Sequence, residues 1–177
     1  MMRLFIALCF DEAVKAALEE GIARLQATAL KGNFTRVGNL HLTLVFIGET
    51  DRRADIERAM DSVDAPAFEV AVQGFGRFRR GGRDICWAGV RGGPALSSMH
   101  DALCAALTAE RFAIEKRPFK PHITLGRDVE LPRSFDERAF AEGMPAASMR
   151  AGHISLMWSH RVDGVLTYTE IHKRALR

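Results

Sequence analysis

The chain has 177 residues, 47% hydrophobic and 27% charged, which is enough for one well-buried core in a globular protein. No apolar run approaches the roughly 20 residues of a membrane span, and the Leu4–Phe10 run ends in Asp11-Glu12 without a cleavage site of small residues, so a signal peptide and a membrane partner are not expected. The net charge of +3 permits an anionic substrate without demanding one.

Cys9, Cys86 and Cys104 are scattered, with no C-x-x-C, and read as small buried hydrophobes of a reducing compartment, which makes the cytoplasm the expected location. Arg3–Phe10 is an apolar run of strand length. Asp11 is placed to cap a helix whose face is Val14, Leu18, Ile22 and Leu25, running to about Ala29. Lys31-Gly32-Asn33 has turn chemistry, Phe34–Val37 suits a short strand, and Gly38-Asn39 a further turn. Leu40–Ile47 is strand-like and stops at Gly48, after which Thr50 or Asp51 caps a second helix carrying Ile56, Met60 and Val63.

Phe68–Val72 alternates as a half-buried strand does, Gly74–Arg83 reads as a long glycine- and arginine-rich hairpin or loop, and Asp84–Val90 as the next strand. Gly74-x-Gly76 is not a nucleotide fingerprint, because no helix follows it. Gly92-Gly93-Pro94 opens a third helix on Leu96, Met99, Leu103 and Leu107. A short strand near Phe112–Lys116, a strand over Ile123–Val129 and a short helix over Ser134–Ala141 follow. Met149–Trp158 and Val165–Ile171 form a terminal hairpin about Asp163-Gly164. Strand–helix–strand recurs twice, the pattern of an α+β protein of two similar lobes.

One tetrapeptide pattern also occurs twice. His41-Leu42-Thr43-Leu44 and His122-Ile123-Thr124-Leu125 stand a little under half the chain apart, each inside an apolar run. A lone His-x-Thr is ordinarily a half-buried strand histidine. Two copies arise by chance on the order of once in a few thousand sequences. Strand alternation puts each histidine beside its threonine on one face and turns the aliphatic residues to the other. Two imidazoles across a phosphorus centre suit general acid–base cleavage of a phosphodiester, one taking a proton from water and one giving a proton to the departing oxygen. The threonines are placed to donate to non-bridging oxygens, and no metal or cofactor is required. His100, His153, His160 and His172 lack the pattern and read as surface or structural.

The runs Asn39–Gly48 and Arg117–Arg127 resemble the two signatures of the two-histidine phosphoesterases, most closely the LigT-like RNA 2′,3′-cyclic phosphodiesterases. Arg3-Leu4-Phe5-Ile6-Ala7, Trp87-Ala88-Gly89-Val90 and Tyr168-Thr169 extend the resemblance over nearly the whole chain. It implies an α+β, bilobal duplicated fold, one domain over 1–177, with two antiparallel-rich sheets facing a central cleft and helices outside. It implies metal-independent opening of a 2′,3′-cyclic phosphate to the 2′-phosphate. His41 would be the general acid and His122 the base that activates water, with Thr43, Thr124 and Arg127 holding phosphate. RNA ends or cyclic nucleotides are the expected partners, and a monomer the expected state. A 2′–5′ oligonucleotide phosphodiesterase, an RNA ligase or end-binding protein, and a metallohydrolase are the rival readings.

Regular alternation would turn Arg127, five residues after His122, away from the cleft, so a bulge or strand end near Gly126 is needed to redirect it. Its counterpart in the first copy is Phe46. Arg77, Arg79, Arg80 and Arg83 are either a solvated loop or a steering patch for RNA phosphates, with Phe5, Phe34, Phe75, Phe78 and Trp87 as stacking candidates. Lys116, Arg117 and Lys120 cluster before the second motif.

Overall fold

A computed structural model describes residues 1–177. The apolar opening run forms β1 (Met2–Cys9), and Asp11 caps α1 (Glu12–Thr28) by accepting the Val14 N–H at 2.9 Å. β2 (Lys31–Phe34) follows, then a 3-10 turn over Val37–Asn39, β3 (His41–Thr50) and α2 (Arg53–Ser62). Next come β4 (Phe68–Phe78), β5 (Asp84–Arg91) and α3 (Gly93–Ala109). The last stretch holds β6 (His122–Glu130), α4 (Glu137–Glu142), β7 (Ala147–Ala151), β8 (His153–Val162) and β9 (Val165–Ala175).

Two antiparallel sheets result, one in the order β3-β1-β8-β9 and the other β2-β6-β5-β4-β7. The connections cross between them. α1 leaves β1 of the first sheet and packs on β2, β6 and β7 of the second; α3 leaves β5 of the second sheet and packs on β3 and α2. The leucine faces therefore meet one core of 35 buried residues, to which Leu4, Ile6, Leu8, Leu42, Ile123 and Leu125 contribute fully buried side chains. Burying each such side chain favours folding by about 1.5–3 kcal/mol. The opposite faces stay open, and β3 lies against β6 where the sheets adjoin.

Several local expectations give way to long-range pairing. Lys31-Gly32-Asn33 is strand rather than turn, because the segment pairs antiparallel with β6. Gly74–Phe78 is strand too: Gly74 takes φ +72, the pairing shifts between Gln73 and Gly76, and the bare Gly76 lies against the Trp87 ring. The strand expected at Phe112–Lys116 is absent; Phe112 N–H bonds back to the Leu107 carbonyl at 3.0 Å and its ring lies under Arg52. Thr50 accepts the Arg52 N–H at 3.1 Å, but Arg52 occupies the N-cap of α2, and the short helix begins at Glu137, capped by Asp136. Met149–Trp158 is not one strand, since the chain leaves the second sheet at Ala151 and enters the first at His153. The β8–β9 hairpin closes about Asp163-Gly164 as its sequence indicates. No helix is long and apolar enough to cross a membrane.

Candidate active site

Both histidines stand at the first residue of their strands, and the strand alternation places them as expected. Leu42 and Leu44 in β3, and Ile123 and Leu125 in β6, are buried, while His41, Thr43, His122 and Thr124 are half-buried on the open faces. Each imidazole is oriented in the same way. His41 Nδ1–H donates to the Asn39 carbonyl at 2.7 Å, and His122 Nδ1–H to the Lys120 carbonyl at 2.6 Å. A carbonyl two residues back thus fixes the tautomer and leaves the lone pair on Nε2. His41 Nε2 accepts from Thr43 Oγ1 at 2.9 Å, whereas His122 Nε2 has no protein partner.

Aromatic rings surround each imidazole. Phe5, Tyr168 and His41 form a triangle with centroid separations of 4.8, 5.0 and 5.1 Å. Phe78, Trp87 and His122 form another, at 5.0, 5.4 and 6.0 Å. These walls desolvate the rings, and burial is the main reason both histidines lie below their ordinary pKa. For His41 the Asn39 carbonyl opposes the shift, and the Arg127 and His122 charges add to it. For His122 the Lys120 carbonyl opposes, and Arg127 and Arg117 add. Arg127 is the cation felt by both imidazoles.

Twin bulges account for that placement. Along β1 the partner in β3 jumps from Val45 to Thr43 between Ile6 and Ala7; along β5 the partner in β6 jumps from Gly126 to Thr124 between Cys86 and Trp87. Each motif strand therefore carries one extra residue directly after its threonine, Leu44 or Leu125. Two consecutive residues are buried in each copy, Leu44-Val45 and Leu125-Gly126, and the following Phe46 and Arg127 emerge exposed. The extra residue reverses the parity, so both return to the face of the histidines. Arg3 lies over the Phe46 ring at 5.0 Å, while Arg127 has no carboxylate partner at ion-pair distance.

Other candidates divide. Arg77 is largely buried and committed to structure, with Nη1 3.0 Å from Asp84 Oδ2 and Nη2 2.9 Å from Glu137 Oε2. Phe75 packs against Phe135 and Phe140, and Phe34 against the core, so neither faces the cleft. His100 stacks on Phe119, His160 on Trp158, and His172 pairs with Asp61. All three cysteines are free. No three His, Cys, Asp or Glu side chains converge as a metal-ligand set. Residue-by-residue reading missed Asn39 as more than a turn residue: its carbonyl holds His41, and its Nδ2 donates to the Leu166 carbonyl of β9 at 3.0 Å. It also left Tyr168 unassigned, which comes from the far end of the chain.

The model of the 2′-5′ RNA ligase superfamily matches residues 14–163. An RNA 2′,3′-cyclic phosphodiesterase of Thermotoga maritima is 33% identical over 141 residues, covering 77% of this chain and 75% of that protein. One of Escherichia coli K12 is 31% identical over 134 residues, covering 71% and 72%. Among solved structures, a Thermus thermophilus protein aligns with a TM-score of 0.79 at 25% identity, covering 99% of this chain and 98% of that one. Escherichia coli LigT complexed with 3′-AMP aligns with a TM-score of 0.78 at 23% identity, covering 99% and 97%, a likeness of fold.

Proposed function

The chain belongs to the 2′-5′ RNA ligase superfamily, and from that membership we propose that it is an RNA 2′,3′-cyclic phosphodiesterase, opening the cyclic phosphate to a 2′-phosphomonoester. The observation that carries the chemistry is the pair of imidazoles, each tied at Nδ1 to a carbonyl and each offering Nε2 on an open sheet face. In this reading the whole chain acts as one unit, two pseudo-symmetric lobes supplying one half-site each.

His122 is the base. Its Nε2 lone pair has no partner in the resting site and takes a proton from water as the water oxygen bonds to phosphorus. The bond from phosphorus to the 3′ oxygen breaks, and His41, protonated at Nε2, gives its proton to that oxygen. Thr43 and Thr124 donate to the non-bridging oxygens, and Arg127 places a positive charge against the charge that develops there. The aromatic walls exclude water from the two rings and make the histidine charges responsive to the bound phosphate. With an alcohol in place of water the same step would join that alcohol to phosphorus as the bond to the 3′ oxygen breaks, His122 taking the alcohol proton and His41 protonating the 3′ oxygen, so ligation needs no second site.

The test is incubation with a short RNA ending in a 2′,3′-cyclic phosphate, followed by chromatography against 2′- and 3′-phosphate standards. The 2′-phosphate is the expected product, and His41→Ala and His122→Ala each abolish its formation while retaining the wild-type circular dichroism spectrum. Near-wild-type turnover by either variant would sink the mechanism.

A further inference from the structure

Each catalytic imidazole is oriented by a carbonyl two residues back, but the two carbonyls are held in different ways. Asn39 closes a 3-10 turn, its N–H bonded to the Arg36 carbonyl at 2.8 Å and its Nδ2 to the Leu166 carbonyl at 3.0 Å. Lys120 has no such frame. It lies near the end of the stretch 110–121, which contains no helix or strand, and its side chain is exposed. Between Glu115 and Lys120 the only residue withdrawn from solvent is Phe119.

Phe119 lies flat against His100 of α3. The two rings are 7° from parallel with centroids 4.0 Å apart, and Phe119 also touches the main core. His100 does not turn freely against it. Asp101 Oδ1 accepts from His100 Nδ1–H at 3.0 Å, and Cys104 Sγ lies 3.5 Å from Nε2. Burial pushes the Cys104 thiol up, so the S–H is retained and donates to Nε2. Both ring nitrogens are thus engaged within α3, and the imidazole, its side chain 16% exposed, presents a fixed face to Phe119.

Lys120 follows Phe119 directly, and its carbonyl accepts His122 Nδ1–H at 2.6 Å. One residue further, the Pro121 carbonyl accepts the Val90 N–H at 3.3 Å. The Lys120 carbonyl is therefore pinned between an aromatic stack on one side and a strand contact on the other. α3 itself packs on β3, the strand of His41, so the stack joins the second half-site to a helix that rests on the first.

We propose that His100 is a positioning residue for His122, its stack on Phe119 holding the Lys120 carbonyl in line with Nδ1 and so keeping the Nε2 lone pair free for the attacking water. This rests on the cyclic phosphodiesterase reading and adds a residue on α3 on which its base depends. Without the stack the Lys120 carbonyl swings, and His122 populates the tautomer protonated at Nε2, which cannot take a proton from water.

The experiment pairs kinetics with a direct view of the ring. His100→Ala removes the stack, and His100→Phe restores an aromatic face without the ring nitrogens. Steady-state hydrolysis of a 2′,3′-cyclic mononucleotide is measured across the pH range. Nitrogen–proton correlation spectra of the imidazoles, with the His122 signals assigned by their loss in His122→Gln, read the tautomer with no substrate present. His100→Ala is expected to lower kcat about tenfold with KM within about twofold of wild type, the pattern of an interaction lost in the transition state. The His122 limb of the pH profile moves to lower pH, because the Lys120 carbonyl raises that pKa against burial and the Arg127 and Arg117 charges, while the His41 limb stays. His100→Phe should recover kcat to within about threefold of wild type. The His122 resonances should show Nδ1–H in wild type and His100→Phe, and a mixture of tautomers in His100→Ala. A wild-type tautomer and kcat in His100→Ala overturn the proposal, even where thermal melts show lost stability, because the stack would then be structural only. Equal kinetic loss in the two variants overturns it as well. If the tautomer changes as expected but wild type opens no cyclic phosphate, the brace stands and the activity assignment fails.

Discussion

Replacing Arg127 by glutamine separates what its charge does for phosphate from what it does to the histidines. Arg127 is exposed, free of any carboxylate partner, and returned to the catalytic face by the extra residue at Leu125. A charge-assisted hydrogen bond contributes about 1.5–3 kcal/mol, so Arg127→Gln should lower kcat/KM by about 10–150-fold. The second effect is on pH. Burial is the first cause of the low pKa of both imidazoles, but Arg127 lowers each of them further. The mechanism needs one neutral and one protonated histidine, which gives a bell-shaped profile of kcat/KM whose two limbs report the free enzyme. Removing the shared cation lets both imidazoles rise toward their ordinary value, so both limbs move to higher pH. Arg127→Lys keeps the charge and should keep the wild-type limbs while losing part of the rate through the missing bidentate geometry. The assay is steady-state hydrolysis of a cyclic nucleotide across the pH range. An Arg127→Gln profile that superimposes on wild type, or shifts to lower pH, would refute the placement of this guanidinium between the two half-sites.

Thr124→Val removes a hydroxyl that has no resting partner and should leave stability nearly unchanged while lowering kcat by about 10²-fold; a loss confined to KM would count against contact in the transition state. Asn39→Ala keeps the carbonyl on His41 but breaks the tie to Leu166, and steady-state kinetics should show kcat about 3–10-fold lower with KM unchanged, the loss expected for a neutral hydrogen bond of about 0.5–1.5 kcal/mol. Gly76→Ala drives a Cβ into the Trp87 ring, so denaturant titration should show a loss of about 1–3 kcal/mol together with reduced turnover as Trp87 is pushed from His122. Because the folded pKa of His41 and His122 lies below the unfolded value of about 6.5, their neutral burial favours folding fully above that pH. That contribution is lost as pH falls through the folded values; thermal melts should show a smaller acid loss for His41→Gln than for wild type.

The repeated His-x-Thr-Leu, the sharing of one face by histidine and threonine, and the burial of Leu42 and Leu125 follow from strand alternation alone, because the two faces of a strand differ in their environment. The helix faces Val14–Leu25 and Leu96–Leu107 were equally legible, since apolar period reports directly on which side meets the core. Local pattern failed at Lys31–Asn33, at Gly74–Phe78 and at Gly152. There a strand forms, lengthens or changes sheet according to a partner far away in the chain.

The sequence by itself thus determined the repeated His-x-Thr pattern and the strand face on which each histidine and threonine stands. Only the tertiary structure decided where the cation stands, which rings enclose each imidazole, and that Asn39 links His41 to β9. A bulge exists only relative to the strand it is paired with: Leu125 is an extra residue because of Cys86 and Trp87, some forty positions earlier, just as Leu44 is because of Ile6 and Ala7. The aromatic walls likewise join Phe5 to Tyr168 across nearly the whole chain. Periodicity records the environment of each residue, not the identity of its neighbour, and the asymmetry between Phe46 and Arg127 matters only because pairing returns both to the faces of the histidines.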